Sequence, residues 1–96
     1  MVAPELPPED AKLLVLARSA AARSGGTGAA VRDPDGRTWL AGPVAVGPLR
    51  LLAVEAAVAQ AAASGATRLD ALAVVGGEQP DPDLLAAVGD PAVVRP

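Results

Sequence analysis

The chain has 96 residues, a net charge of −3 and 51% hydrophobic residues, which predicts one domain with a small core. It contains no cysteine and no histidine, which excludes disulfides, thiolate metal sites and Ser-His-Asp triads. Its basic residues are scattered, whereas nucleic-acid binders carry a basic stripe, so we expect no nucleic-acid binding. Trp39 is the only aromatic residue, so the core must be built from Ala, Val and Leu.

The N-terminal residues lack the basic and apolar regions of a signal peptide. A membrane-spanning helix requires about 18 apolar residues in a row, and every stretch of that length in this sequence contains a charged residue or a glycine. We therefore expect a cytoplasmic protein without membrane contact. Residues 1–7 are rich in proline and predict a flexible lead-in, and residues 8–96 predict a single domain.

Local signals in the first half predict a helix followed by a β-hairpin. Pro8 suits the first turn of a helix, and the helix is expected to run to about Arg23, before a Ser-Gly-Gly stop. Residues 28–32 predict a strand, and residues 37–41 its return strand, because the Asp-Pro-Asp-Gly segment between them is a strong turn signal. Residues 42–48 are expected to be irregular.

The second half predicts two helices and two strands. The segment 49–65 is apolar on nearly every side, which indicates a helix covered by protein on more than one side. One side would cover a sheet and another would meet more protein, for which a second subunit is one candidate. Residues 70–75 predict a central parallel strand. Residues 81–88 predict a short helix capped by its first aspartate, and residues 92–94 a last strand.

These elements predict an α/β fold, with the order α-β-β-α-β-α-β arranged as three α-β-α layers around a small mixed sheet. This order resembles the cytidine deaminase family from about residue 10 to residue 96. The similar segments are Ser24-Gly25-Gly26-Thr27-Gly28-Ala29-Ala30-Val31, Asp35-Gly36-Arg37-Thr38, Leu49-Arg50-Leu51-Leu52-Ala53-Val54-Glu55-Ala56-Ala57 and Ala71-Leu72-Ala73-Val74-Val75.

The resemblance implies a zinc site that this sequence lacks. In the family, a Cys or His at the helix start and two Cys in a Pro-Cys-x-x-Cys segment bind zinc, which activates a water, and a glutamate moves the proton. Here Leu52 stands at the first ligand position and Val54 at the glutamate position, and residues 79–84 contain no cysteine. Pro43 and Ala45 stand where the family has its substrate-binding Asn and Glu.

Glu55 is one residue away from the position of the proton-transferring glutamate. A shift of one residue turns a helical side chain by about 100°, so we do not assign that role to Glu55.

The resemblance and the missing residues together favour a non-catalytic cytidine deaminase-like domain, without metal or cofactor, that acts through self-association or a protein partner. Enzymatic activity is not expected. The second hypothesis is a pseudoenzyme that still binds a nucleoside or nucleotide, and the third is an active deaminase-type hydrolase. The residues expected to form an interface are Trp39, Leu49, Leu52, Val54 and Val58.

Four other features each have a functional and a structural interpretation, and we favour the structural one. Residues 25–28 are glycine-rich like a phosphate-binding loop, but they lie between a helix and a strand rather than before a helix. Asp33 and Asp35 are expected to bond to their own turn rather than to a cation. The acidic residues 78, 81 and 83 are explained by a loop and a helix cap. Trp39 is a candidate anchor for a partner, but core or subunit packing is favoured.

Overall fold

A computed structural model describes residues 6–96, so residues 1–5 of the predicted lead-in lie outside the described range. The elements in that range are, in chain order, α1 (Pro8–Arg23), β1 (Gly28–Arg32), β2 (Thr38–Ala41), β3 (Val44–Val46), β4 (Leu49–Leu51), α2 (Ala53–Ala63), β5 (Ala71–Val75), α3 (Pro82–Ala87) and β6 (Ala92–Val94). No helix in residues 6–96 is long and apolar enough to cross a membrane.

Four strands form a mixed sheet in the order β2-β1-β5-β6. Strand β1 is antiparallel to both β2 and β5, and β5 is parallel to β6. The expectation for residues 70–75 was therefore right about the central position. The predicted parallel pairing is correct for the neighbour β6, but β5 is antiparallel to its other neighbour, β1.

The two faces of the sheet carry two separate hydrophobic clusters, because neighbouring residues of a strand point to opposite sides. On one face, α1 packs through Leu13, Leu14 and Ala17 onto Ala30, Ala71, Ala73 and Val94. On the other face, α2 packs onto Ala29, Val31, Leu72 and Val74, and the side chains of Leu84, Leu85 and Val88 border the same cluster. The predicted three-layer α/β arrangement is confirmed.

Helix α1 ends in a glycine pair that the structure uses for the chain reversal. Gly25 and Gly26 have φ angles of 75° and 101°, and the N–H of Gly26 donates to the carbonyl of Ala21 over 2.8 Å. This bond is typical of a glycine-terminated helix end. The glycine-rich segment 25–28 thus ends a helix and leads into β1.

The segment 42–51 differs from the prediction. It forms a second hairpin, β3–β4, in a two-stranded sheet of its own, with Val44 paired to Leu51 and Val46 to Leu49. Gly47 has a φ of 54°, and a proline follows it, which suits a two-residue turn with glycine in first position. The predicted order lacked these two strands, and the helix predicted from Leu49 begins at Ala53 instead.

Helix α2 is covered on one side only within the single chain. Its buried residues are Ala53, Val54, Ala56, Ala57, Val58 and Ala61. Ala59, Ala62 and Ala63 are exposed. Alanine forms helices well and leaves little apolar area in water, so this side does not require a cover. The apolar appearance of the whole helix came from these exposed alanines.

Candidate functional site at the start of helix α2

The start of α2 is bound by a carboxylate from a distant loop. The N–H of Ala53 donates to Oε2 of Glu78 over 2.7 Å, and the N–H of Val54 donates to Oε1 of Glu78 over 3.0 Å. Glu78 lies in the loop between β5 and α3 and is half-buried. The first N–H groups of a helix have no partner within the helix, and the helix dipole favours negative charge there. Glu78 satisfies both requirements.

A second carboxylate closes the same end from within the helix. Oε1 of Glu55 accepts a hydrogen bond of 2.7 Å from the N–H of Leu52, the residue that precedes α2. This is the reciprocal contact that a glutamate in the first turn of a helix makes with the residue before it. Glu55 therefore binds the backbone just before its own helix.

The loop that carries Glu78 is also bound from the C-terminal side. Nη2 of Arg95 donates to the backbone carbonyl of Glu78 over 2.8 Å. Three segments that are far apart in sequence thus meet at this residue: the start of α2, the loop after β5 and the end of the chain. The sequence interpretation of Glu78 as a plain loop residue missed these contacts, since nothing near it in sequence indicates them.

Leu52 and Val54 occupy different environments. Val54 is 1% exposed and belongs to the cluster between α2 and the sheet. Leu52 is 45% exposed and lies at the edge of a shallow depression. Their side chains are apolar and offer no ligand for a metal and no group for proton transfer.

The depression next to Leu52 has a volume of about 290 Å³ and is bordered by residues of the second hairpin and of the start of α2. It is lined by Val44, Ala45, Arg50, Leu51, Leu52 and Glu55. Ala45 was expected at a substrate-binding position of the family, and it does line this depression, whereas Pro43 is not among the lining residues. The lining offers one cation and one carboxylate in an otherwise aliphatic wall.

The residues at this site do not fit the zinc that the family resemblance implies. Zinc in proteins is held by Cys, His and carboxylate ligands, and the chain has neither Cys nor His. Within residues 6–96, no three acidic side chains lie close enough together to hold a metal ion. Both oxygens of Glu78 already accept hydrogen bonds from the backbone.

Trp39 packs within its own chain. The half-buried ring borders the cluster under α2, and Nε1 donates to Oγ of Ser64 over 3.1 Å, while the Arg37 guanidinium lies 5.3 Å from the ring centre. Val58 is also buried in this cluster. Of the five residues expected at an interface, Leu49 and Leu52 are the ones whose side chains are well exposed in the single chain.

Of the two aspartates of the first turn, Asp33 uses its carboxylate to bind backbone N–H groups and an arginine. Oδ1 of Asp33 accepts from the N–H groups of Asp35 and Arg37, over 3.1 and 2.8 Å. Oδ2 accepts from the guanidinium of Arg37 over 2.7 and 2.8 Å. Burial alone would raise the pKa of Asp33, but these hydrogen bonds and the arginine charge outweigh it and lower the pKa.

Residues 6–95 match the family model described as cytidine deaminase-like. The chain therefore belongs to the cytidine deaminase-like family, as the resemblance predicted. Among curated proteins, none matches this chain.

Proposed function

We propose that this protein is a non-catalytic cytidine deaminase-like domain that acts through self-association or through a protein partner. The observation that carries the proposal is which residues occupy the start of helix α2. The chain's own Glu78 binds the first N–H groups of α2, and the family resemblance puts the apolar residues Leu52 and Val54 at the ligand and glutamate positions. Hydrolytic deamination needs an activated water and a group that moves its proton, and these residues supply neither.

Support for association comes from the second hairpin. The register places Val44, Val46, Leu49 and Leu51 on one side of the two strands, and we call this side the hairpin face. Val46 and Leu49 at its outer end are 68% and 51% exposed. A two-stranded hairpin is marginally stable alone, so covering this face would stabilise it as well as bury apolar surface.

Sedimentation of the full chain across a range of concentrations, up to the high micromolar range, tests self-association. We expect a concentration-dependent oligomer that Leu49→Asp converts to a monomer, because a buried unpaired charge is costly. Val15→Asp is the matched control, since Val15 is exposed on α1, outside the hairpin face, and should leave the oligomer intact. A wild-type monomer at every concentration would contradict self-association.

Metal analysis combined with a cytidine turnover assay tests the non-catalytic assignment. We expect no stoichiometric zinc and no turnover above the buffer rate. Stoichiometric zinc together with turnover would overturn the assignment and favour an active hydrolase.

The depression beside Leu52 supports nucleoside binding without catalysis as the second candidate function. Its volume of about 290 Å³ is just under the usual size of a ligand pocket, and Arg50 and Glu55 offer one donor group and one acceptor group. Calorimetry with a panel of nucleosides and nucleotides should give heat that Arg50→Ala abolishes. Absence of heat with every compound would rule this candidate out.

A further inference from the structure

Glu78 brings together parts of the chain that share no secondary structure. Its carboxylate accepts from Ala53 and Val54, which are 25 and 24 residues away, and its carbonyl accepts from Arg95, which is 17 residues away. In the family, the resemblance implies that zinc joins the helix start to the segment that corresponds to residues 79–84. Glu78 directly precedes that segment.

A carboxylate can replace a metal as a connection between these segments. It is an anion rather than a cation, so it requires different partners. A metal cation needs side chains on both segments that can act as ligands, such as thiolates, imidazoles or carboxylates. A carboxylate instead needs hydrogen-bond donors, such as backbone N–H groups. The start of α2 supplies such donors from its backbone, whatever side chains it carries. The apolar residues Leu52 and Val54 therefore do not prevent this connection, although they prevent a zinc site.

We propose that Glu78 is a metal-free staple, in which one carboxylate holds the start of α2, the loop after β5 and, through its backbone, the C-terminal segment in place. The staple is a property of the single chain. It does not depend on self-association, so a wild-type monomer at every concentration would contradict the proposed self-association and leave the staple intact.

The main experiment compares Glu78→Ala with Glu55→Ala in the full chain. Both variants remove a carboxylate from the start of α2, but only Glu78 joins distant segments. We expect Glu78→Ala to lower the midpoint of thermal unfolding by about 4–15 °C, from the usual effect of losing a helix cap in a domain of this size. We also expect the amide protons of Ala53 and Val54 to exchange about tenfold faster than in the wild type.

The mobility of the loop separates a staple from an ordinary helix cap. In Glu78→Ala, the NMR order parameters of residues 76–79 should fall from about 0.85 to below about 0.6, whereas in Glu55→Ala they should remain at the rigid value. Equal order parameters in the two variants would overturn the proposal. If Glu78→Ala does not fold, Glu78→Gln provides the same comparison, because it keeps the shape and one acceptor oxygen but removes the charge.

Acetate provides an independent chemical test. Added acetate should raise the unfolding midpoint of Glu78→Ala relative to the same concentration of chloride, because it supplies the missing carboxylate to the free N–H groups. The wild type should show no such difference. Zinc chloride and a chelator should leave the wild-type midpoint unchanged. A rise with stoichiometric zinc, or no acetate effect in a folded Glu78→Ala, would contradict the staple.

Discussion

The two hairpins of this chain both contain Ala, Val and Leu residues, but these residues are packed differently. In the first hairpin, β1 lies between β2 and β5 and has a helix on each face, so Ala29, Ala30 and Val31 are fully buried. The second hairpin forms a separate two-stranded sheet, and Val46 and Leu49 at its tip are exposed. The first hairpin therefore contributes to the core, and the second provides a surface.

The turns of the two hairpins also differ in the contacts that hold them. The first turn is fixed by Asp33, whose carboxylate accepts hydrogen bonds from Asp35 and Arg37. The second turn is a Gly47-Pro48 pair, and its shape follows from backbone preferences alone. This turn carries no polar side chain of its own, and the exposed side chains of Val46 and Leu49 lie on either side of it.

Gly28→Ala should have the largest effect, because it tests how tightly the first hairpin is packed against α1. A Cβ at this position would lie 2.5 Å from the backbone N of Ala21 and also meet the carbonyl of Ala17. Backbone atoms cannot rotate away, so α1 must shift, and we expect a loss of about 2–4 kcal/mol in the free energy of unfolding.

Urea unfolding followed by Trp39 fluorescence measures this loss. Gly77→Ala is the matched control, because a Cβ there meets nothing within 4 Å and the backbone φ is not positive. It should change stability by less than about 0.5 kcal/mol. Equal stabilities of the two variants would mean that α1 does not approach β1 this closely.

Val31→Ala and Val46→Ala test the comparison with the same chemical change. Val31 is fully buried in the first hairpin, so its truncation should cost about 2–3 kcal/mol from lost burial and the remaining cavity. Val46 is 68% exposed, so its truncation should cost less than about 0.5 kcal/mol at concentrations where the chain is monomeric.

Urea unfolding at low protein concentration compares the two variants directly. A cost for Val46→Ala as large as that for Val31→Ala would show that the second hairpin is covered even in the monomer.

The parts of the fold that were predicted correctly are those with signals inside the element. Pro8 and the acidic residues after it mark the start of α1, the segment 33–36 marks the first turn, and Asp81 caps α3 by accepting from the N–H of Asp83. Each of these signals lies within a few residues of the helix or turn that it determines, so the sequence alone predicts that helix or turn.

The second hairpin was missed because its strands have only three residues each and run into an apolar helix. The alternation of Val44, Val46, Leu49 and Leu51 is the available signal, but it is short compared with the helical segment that follows. The helix start depends on Glu78, which no local pattern connects to Ala53. The candidate site was therefore located by the family resemblance, and its carboxylate contacts required the folded structure.

The smallest predicted effect is a loss of stability at acid pH. It distinguishes the two turns because the first contains the titratable carboxylate of Asp33 and the second is a Gly-Pro pair. The lowered pKa of Asp33 means that its carboxylate stabilises the folded chain at neutral pH. This contribution is fully present above the ordinary aspartate pKa of about 3.9 and is lost as the pH falls through the lower pKa of the folded state. Arg37 is half-exposed, so salt should reduce the part that comes from the ion pair.

Thermal unfolding of the wild type and Asp33→Asn between pH 7 and pH 2.5 measures this contribution. The wild type should be the more stable at neutral pH, and the difference should shrink below about pH 4, because the protonated carboxyl resembles the amide. Val46→Ala provides the comparison from the second hairpin: it removes no titratable group, so its difference from the wild type should not change over the same range. A difference between the wild type and Asp33→Asn that is constant down to pH 2.5 would show that the Asp33 charge does not stabilise the first turn.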